Sequence, residues 1–431
     1  MWGFAFAFGN VDGGFIGSKY FVGMELGKDK QFANWWFQYA FAMTAATIVS
    51  GSLAERINVN CYILFAFFMI GFIYPTIVAW TWGKGWLYEK GFTDFAGSGI
   101  VHMTGGFAGL IGAIICGPRI GRFNDIRTGN PIEDKHTQLM KTSKSSATYS
   151  EVHRKYITKE IEIEHVHAFV RSYQLTLDER GFAHSSPNSV VLGTMILWVA
   201  WMSFNGGSSL GLSDLENKGQ PKWEKAAQSI VNTVLCPCIS GIFTFFTRRP
   251  ITGQKTDIRL DFQGLTNGLL AGCVSITASS GHIDSWAALV IGIIGSVLYS
   301  TSVVLIEKLR VDDPIEAFQV HGVCGLWGLL AVGIFHKEKG IIYGAHNSLS
   351  FLGIQCLGAL CIIAWTCTLS FIYFFLFKKI GSIRLTEEQE LLGGDIFYFA
   401  PIKMEGKISS YAKGLQLSRL NSELVGKAKD K

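Results

Sequence analysis

Charge is scarce in this chain. Only 16% of its 431 residues are Asp, Glu, Lys or Arg, against about 25% in soluble domains. A soluble globule is thereby excluded. No basic arm or aromatic-basic module accompanies the formal charge of +5, so nucleic acid is not an expected partner. The cysteines form no disulfide framework: Cys61, Cys116, Cys273, Cys324, Cys356, Cys361 and Cys367 fall in or beside apolar runs, where a thiol serves as a small hydrophobe. Cys236 and Cys238 lack the partners of a metal knuckle. The opening Trp-Gly-Phe-Ala-Phe-Ala-Phe-Gly has no basic segment before it, so no cleavable signal peptide is read here. No cofactor, metal or enzyme chemistry is implied.

Apolar substance is plentiful. Hydrophobic residues make up 49%, with 49 glycines and 32 phenylalanines, and the mean hydropathy is +0.29. Glycine-rich apolar segments suit close helix packing in a bilayer. The chain reads as an all-α polytopic membrane protein. A hydrocarbon core needs about 20 apolar residues as helix. Candidate spans lie near 34–52, 60–80, 97–117, 189–208, 226–246, 263–279, 285–306, 317–336 and 352–377, with a weaker apolar piece at 1–16.

Loop charge orients these spans. Arg56, Arg119 with Arg122, Arg248 with Arg249, Lys308 with Arg310, and Lys378 with Lys379 occupy alternate loops, which puts those loops and the carboxyl tail in the cytoplasm. Lys19, Lys28 and Lys30 on the outer side depart from the rule.

Two segments rhyme. Asp94 precedes His102 by eight residues, Asp313 precedes His321 by eight, and each histidine enters a glycine-rich apolar run, with Gly105, Gly106 and Gly109 after the first and Gly322, Gly325 and Gly328 after the second. An ionisable side chain at membrane depth is costly and marks a functional site. The two helices are five spans apart and so run in opposite directions, which indicates an inverted repeat with a pathway at its interface. Each repeat should hold five helices. The second has them, from 189 to 336. The first shows four, so its first helix is missing and 352–377 is an extra one. The expected organisation is a first, incomplete transmembrane repeat (1–122), a cytoplasmic insertion (123–188), a second repeat (189–336), an outer loop with a last helix (337–377) and a cytoplasmic tail (378–431). A solvated helix is expected within Ser146 to Leu175; His165 and His167 there lack thiolate partners for a structural zinc.

A neutral imidazole donates from one ring nitrogen and accepts at the other, so His102 and His321 in one narrow pore can share a proton. Asp94 and Asp313 stand where a carboxylate caps a helix start. Aromatic residues gather at the outer ends of the spans: Phe37 and Phe41 on one helical face, Trp82, then Trp201 and Phe204 with Ser208. An aromatic cage with one hydroxyl attracts a small cation.

With these residues in view, the chain resembles the Amt/Mep/Rh ammonium transporter family, in its Amt/Mep branch. The matching stretches are Phe37 to Ala42 leading to Leu53-Ala54-Glu55-Arg56, Trp82-Gly83 leading to Asp94 through Gly99, and His102 with Thr104-Gly105-Gly106. Gly117 through Arg122, Trp201 to Ser208, Asn267 to Gly272, and Asp312-Asp313-Pro314 through His321-Gly322 follow. They cover residue 1 to about 380, apart from 123–188. The resemblance implies a recruitment site of Trp82, Phe41 and Ser208, with Asp94 as its supporting acid. It implies a gate of Phe41 and Phe204, and a pore lined by His102, His321, Trp201 and Phe37. It also implies a homotrimer in the plasma membrane, one pore per subunit. Trp82 and Ser208 set the chain apart from the Rh branch. Arg384 through Glu390, with Gly394-Asp395, resembles the family's regulatory tail and suggests a cytoplasmic regulatory partner, but the usual His-Gly-Glu and following Tyr are not recognisable. The family's usual first helix is absent too. The alternatives are a sensor that keeps the fold without efficient transport, and an intramembrane haem or metal redox protein using the histidine pair as axial ligands.

Overall fold

The computed structural model describes residues 1–120, 122–123, 186–211, 213–214, 220–221, 223–252 and 261–399. Helices dominate. In chain order they are α1 (Trp2–Phe8), α2 (Phe32–Leu53), α3 (Val59–Trp80), α4 (Trp86–Glu89), α5 (Ser98–Cys116), α6 (Pro187–Gly207), α7 (Trp223–Thr252), α8 (Phe262–Thr277), α9 (Ser285–Lys308), α10 (Phe318–Phe335), α11 (Ser348–Lys379), α12 (Glu387–Leu392) and α13 (Gly394–Phe399). Seven of those described, α3, α5, α6, α7, α9, α10 and α11, are long and apolar enough to cross a membrane by length and composition. The less apolar α2 and the 16-residue α8 complete the bundle. The apolar piece expected at 1–16 is helical only over Trp2–Phe8, too short for a span, because Asn10 and Asp12 take left-handed backbone conformations past its end. A two-stranded ladder, Ser213–Asp214 with Gln220–Pro221, was not expected. The helix expected within 146–175, the histidines at 165 and 167, and Lys255 and Arg259 lie outside the described residues.

Local chemistry sets the helix starts. Ser186 caps α6 by accepting from the Ser189 N–H at 3.3 Å, with Pro187 in the first turn, where a missing N–H costs nothing. Asp261 caps α8 through the Gly264 N–H at 2.8 Å. Thr386 and Gln389 make a reciprocal capping box on α12.

Three of the described helices contain a π-turn: α3 over Met69–Ile73, α5 over Ser98–Met103, and α10 over Phe318–Val323. Such turns cluster at functional sites, because the extra residue re-aims side chains. Here two of them carry His102 and His321. The helices α5 and α10 cross in opposite directions. The segment after α5 meets the segment before α10, where Arg119 bonds Asp312. The start of α5 meets the body of α10, where a Cβ on Gly328 would strike Ser98. At the crossing, a Cβ on Gly106 would collide with the Gly322 backbone. Bare backbone is what lets the histidine helices touch.

Candidate functional site

Asp94 builds the entry to α5. Its carboxylate accepts four backbone N–H groups: Gly97 at 2.7 Å, Ser98 at 3.1 Å, Gly99 at 2.8 Å and Ile100 at 3.0 Å. That is a cap satisfying the orphan donors of a helix start. Asp94 is buried, and both its carboxylate oxygens are engaged by the backbone. Its carbonyl accepts the Trp82 indole N–H at 2.7 Å. Asp313 does the equivalent for α10 through the Phe318 N–H at 2.7 Å.

The aromatic residues named from the sequence meet at this end. Phe41 and Phe204 lie with centroids 4.1 Å apart, Phe41 meets Trp82 at 5.5 Å edge to face, and Phe37 lies 4.7 Å from Phe41. Phe41 comes from α2, Phe204 from α6 and Trp82 from the turn just after α3, so two helices and a turn build one ring cluster. Ser208, one residue past α6, turns its hydroxyl back to the Phe204 carbonyl at 2.9 Å. Below Phe204, at 5.8 Å, lies His102. Trp201 stacks on His102 at 4.8 Å, fixed by its indole N–H to Thr277 Oγ1 at 2.8 Å.

His102 and His321 join through their Nδ1 atoms, 3.2 Å apart. One of these nitrogens must donate and the other accept, so the rings hold opposite tautomers. The donor ring then has an acceptor Nε2 and the other a donor Nε2. Exchanging those roles takes two proton movements, one across the Nδ1 pair and one from the Nε2 of the receiving ring to that of the other, because a single shift would leave an imidazolate beside an imidazolium. His102 Nε2 is buried without a protein partner, which leaves it for a polar solute. Residues of α2, α5, α6 and α10 and of the turn after α3 thus meet in the order ring cluster, Trp201, His102, His321.

Sequence reasoning missed several residues. Arg56 was read as a loop charge, yet it is fully buried, donating to the carbonyls of Gly117 (2.7 Å), Ser52 (3.0 Å) and Asp312 (2.7 Å). Arg119 grips Asp312 through Nε at 2.8 Å, Nη2 at 3.0 Å and its own N–H at 2.9 Å, and also pairs with Glu55. Burial alone would raise the Asp312 carboxyl, but hydrogen bonds and charge from Arg119 outweigh it and hold the group below its ordinary value. Arg384 pairs with Glu390 at 2.7 Å and reaches the Pro118 carbonyl at 2.7 Å, while Glu390 accepts the Ile120 N–H at 2.8 Å. The tail is thereby fastened to the same cluster. The spacing of Arg56 after an apolar helix carried no sign of this, since its partners are carbonyls distant in sequence.

These features define a class: a multi-pass, all-helical membrane protein whose two glycine-rich helices cross at a buried histidine pair beneath an aromatic cluster. Comparison with known proteins gives the family. The profile described as Ammonium Transporter Family matches residues 1–140 and 170–402, and the chain belongs to that family. It is 35% identical over 426 residues to the Putative ammonium transporter 1 member 5 of Arabidopsis thaliana, covering 92% of this chain and 74% of that protein. To Ammonium transporter 1 member 3 of Solanum lycopersicum it is 32% identical, covering 92% and 80%. Among solved structures it resembles a Sensor Amt Protein (30% identity, TM-score 0.71, covering 92% and 85%). It also resembles Saccharomyces cerevisiae Mep2 (27% identity, TM-score 0.66, covering 89% and 76%).

Proposed function

We propose that this chain carries ammonium or ammonia across the plasma membrane through a pore lined by His102 and His321. The observation that carries the reading is the Nδ1–Nδ1 pair, 3.2 Å apart on two oppositely running helices, lying beneath an aromatic pair with centroids 4.1 Å apart. The Asp94 end faces outward and the Arg56 end faces the cytoplasm, as loop charge indicates. Ammonium meets Trp82, Phe41 and Ser208 first. The ring faces offer cation–π attraction and Ser208 a hydroxyl oxygen. Asp94 supports that site from behind, as the cap of α5 and the acceptor for Trp82. Phe41 and Phe204 close the way as a gate. Beyond them, the histidine pair and the face of Trp201 give a small solute hydrogen bonds inside an otherwise apolar passage, with Phe37 packed behind Phe41. The subunits assemble as homotrimers with one pore each. Residues 123–188 and the tail from 378 serve regulation and a cytoplasmic partner.

The likeness to the Sensor Amt Protein, with the tail fastened at Arg384 and Glu390, supports a second reading in which signalling accompanies or replaces efficient transport. Uptake in a transporter-deficient cell separates the two. His102→Ala and His321→Ala should each abolish or alter ammonium-driven current while assembly persists, since an apolar substitute removes the hydrogen-bonding lining. Wild-type flux and selectivity in both variants would overturn the pore assignment.

A further inference from the structure

A second histidine pair stands at the Asp94 end. His282 lies in the turn after α8, and His336 follows α10. Their rings are stacked with centroids 4.7 Å apart and planes within 18°. The pair continues at both ends. Phe95, next to Asp94, meets His282 edge to face at 5.4 Å. Phe351, on α11, meets His336 the same way at 5.7 Å. Four rings therefore form one column from the Asp94 loop to the start of α11. Backbone bonds brace its inner end: the Phe95 N–H reaches the Ala278 carbonyl at 2.9 Å and the Ala96 N–H the Thr277 carbonyl at 3.1 Å. Gly281 packs directly on the Phe95 ring, where a Cβ would collide. The Lys337 N–H closes the other side on the His282 carbonyl at 3.0 Å.

We propose that His282 and His336 are positioning residues for the Asp94 loop, and that acid outside the membrane dissolves their ring column and loosens the mouth of the pathway. The loop's role in transport rests on the function proposed above; the column does not. Stacking needs neutral rings, because two imidazolium faces repel. The surroundings sharpen this. Lys225 on α7 lies 5.5 Å from the Phe95 centroid and Lys339 lies 5.5 Å from that of Phe351. Lys337 is paired with Asp284 at 2.7 Å, and Asp284 also accepts the Tyr343 hydroxyl at 2.7 Å. Glu224 and Glu338 complete the rim, and a groove of about 640 Å³ opens beside both histidines, giving protons access.

The pair is not a metal site. His336 Nδ1 accepts the Glu338 N–H at 3.1 Å, so its Nε2 carries the proton and has no lone pair to offer. Burial, with Lys225, His336 and Lys339 beside it, pushes His282 down to about 3. Burial and Lys339, only partly opposed by Glu338, push His336 down to about 4. Both rings are thus neutral at ordinary pH and meet protons only in acid.

The test compares the full chain with His282→Phe/His336→Phe, which keeps rings in the column and removes the proton sites. Hydrogen exchange at the amides of Gly97 to Ile100, taken as the ratio of wild type to variant at each pH, reads the loop without reference to transport. The ratio should stay level above pH 6.5 and rise several-fold toward pH 4. A level ratio throughout overturns the proposal. Ammonium-evoked current gives the functional arm. Ammonium stays fully protonated over this range, so an acid loss of current in wild type that the double variant lacks cannot come from the substrate. An identical acid loss in both overturns the link to the pathway. Absence of current in every version would sink the transport reading and leave the exchange result standing. If the double variant fails to assemble, Lys225→Met decides: removing that cation narrows the gap between the folded and the open histidine and should shrink the acid-driven rise in exchange, and an unchanged rise overturns the idea.

Discussion

The two ends of this bundle solve one structural problem with different chemistry. At each end, a residue just past α2 or α8 must hold the loop that leads into the opposite histidine helix, and also the segment that leaves its own. At one end Arg56 does so. It reaches the Asp312 carbonyl before α10 and the Gly117 carbonyl after α5. At the other end His282 takes that place. It meets Phe95 before α5 and stacks on His336 after α10. The first joint is a buried guanidinium amid carbonyls, braced by Arg119 and Asp312. The second is a column of rings with no full charge inside it. The difference teaches where each end is allowed to give. A buried cation with all three of its nitrogens bonded to carbonyls is expensive to disturb, whereas stacked rings contribute only about a kcal/mol per pair. The Arg56 end is built to stay, and the Asp94 end is built to yield.

The sharpest way to break that contrast is Arg56→Leu. It strands carbonyls of Ser52, Gly117 and Asp312 that now share one guanidinium. Each buried carbonyl left without its partner costs about 1–3 kcal/mol. Thermal unfolding in detergent should show a large fall in midpoint or no folded protein; a shift within error would mean that the joint is not structural. His282→Leu should cost markedly less in the same assay.

Acid should separate the two ends by window. For His282 and His336, folded values of about 3 and 4 lie below the ordinary 6.5. The unfolded chain takes up these protons first as pH falls. Their contribution to stability is therefore whole above pH 6.5 and is lost progressively down to the folded values. Asp312 is held below its ordinary 3.8, so its contribution is whole above that value and lost only in stronger acid. Unfolding midpoints measured across pH should then fall in two stages, and His282→Phe/His336→Phe should shrink the first. A single stage below pH 3.8 would show that the histidines contribute nothing.

A smaller effect is expected at Trp82. Replacing it with Leu removes the indole face near Phe41 and the bond to the Asp94 carbonyl. Cation–π contact contributes about 0.5–2 kcal/mol, depending on desolvation, so the half-saturating ammonium concentration should rise several-fold with little change in unfolding. An unchanged concentration dependence would remove Trp82 from the recruitment site.

How much of this was legible beforehand follows from the range of each signal. The paired Asp-x7-His spacing led to His102 and His321 because an inverted repeat writes the same motif twice, and the structure joins them at 3.2 Å. Asp94 and Asp313 were legible as caps for the same local reason. Phe41, Phe204, Trp82 and Trp201 came together through resemblance, since no periodicity brings two helices and a turn to one point. The π-turns were invisible: one extra residue in a turn leaves the apolar pattern intact. His282 and His336 were passed over because one lies beyond an apolar run and the other only closes one. Their pairing exists only once two distant turns meet.

The smallest effect should come from removing residues 123–186, the insertion up to the start of α6, most of which lie outside the described residues. Their neighbours show what such a deletion must join. Arg122 stands at the Arg56 end, within 3.6 Å of both Glu307 and Asp312. Pro187 opens α6 with its own cap from Ser186, so a linker that reaches this point must supply a Ser or Asp there. The segment is rich in both charge signs and has no membrane-length apolar run. Closing a loop costs entropy that grows only logarithmically with length, so shortening it changes the stability of the bundle by little. Linking Arg122 through Gly/Ser residues and a capping Ser to Pro187 should leave trimers that transport normally, and regulation alone should change. Loss of folded protein at the cell surface would instead show that the stable end of the molecule draws on the insertion as well as on Arg56.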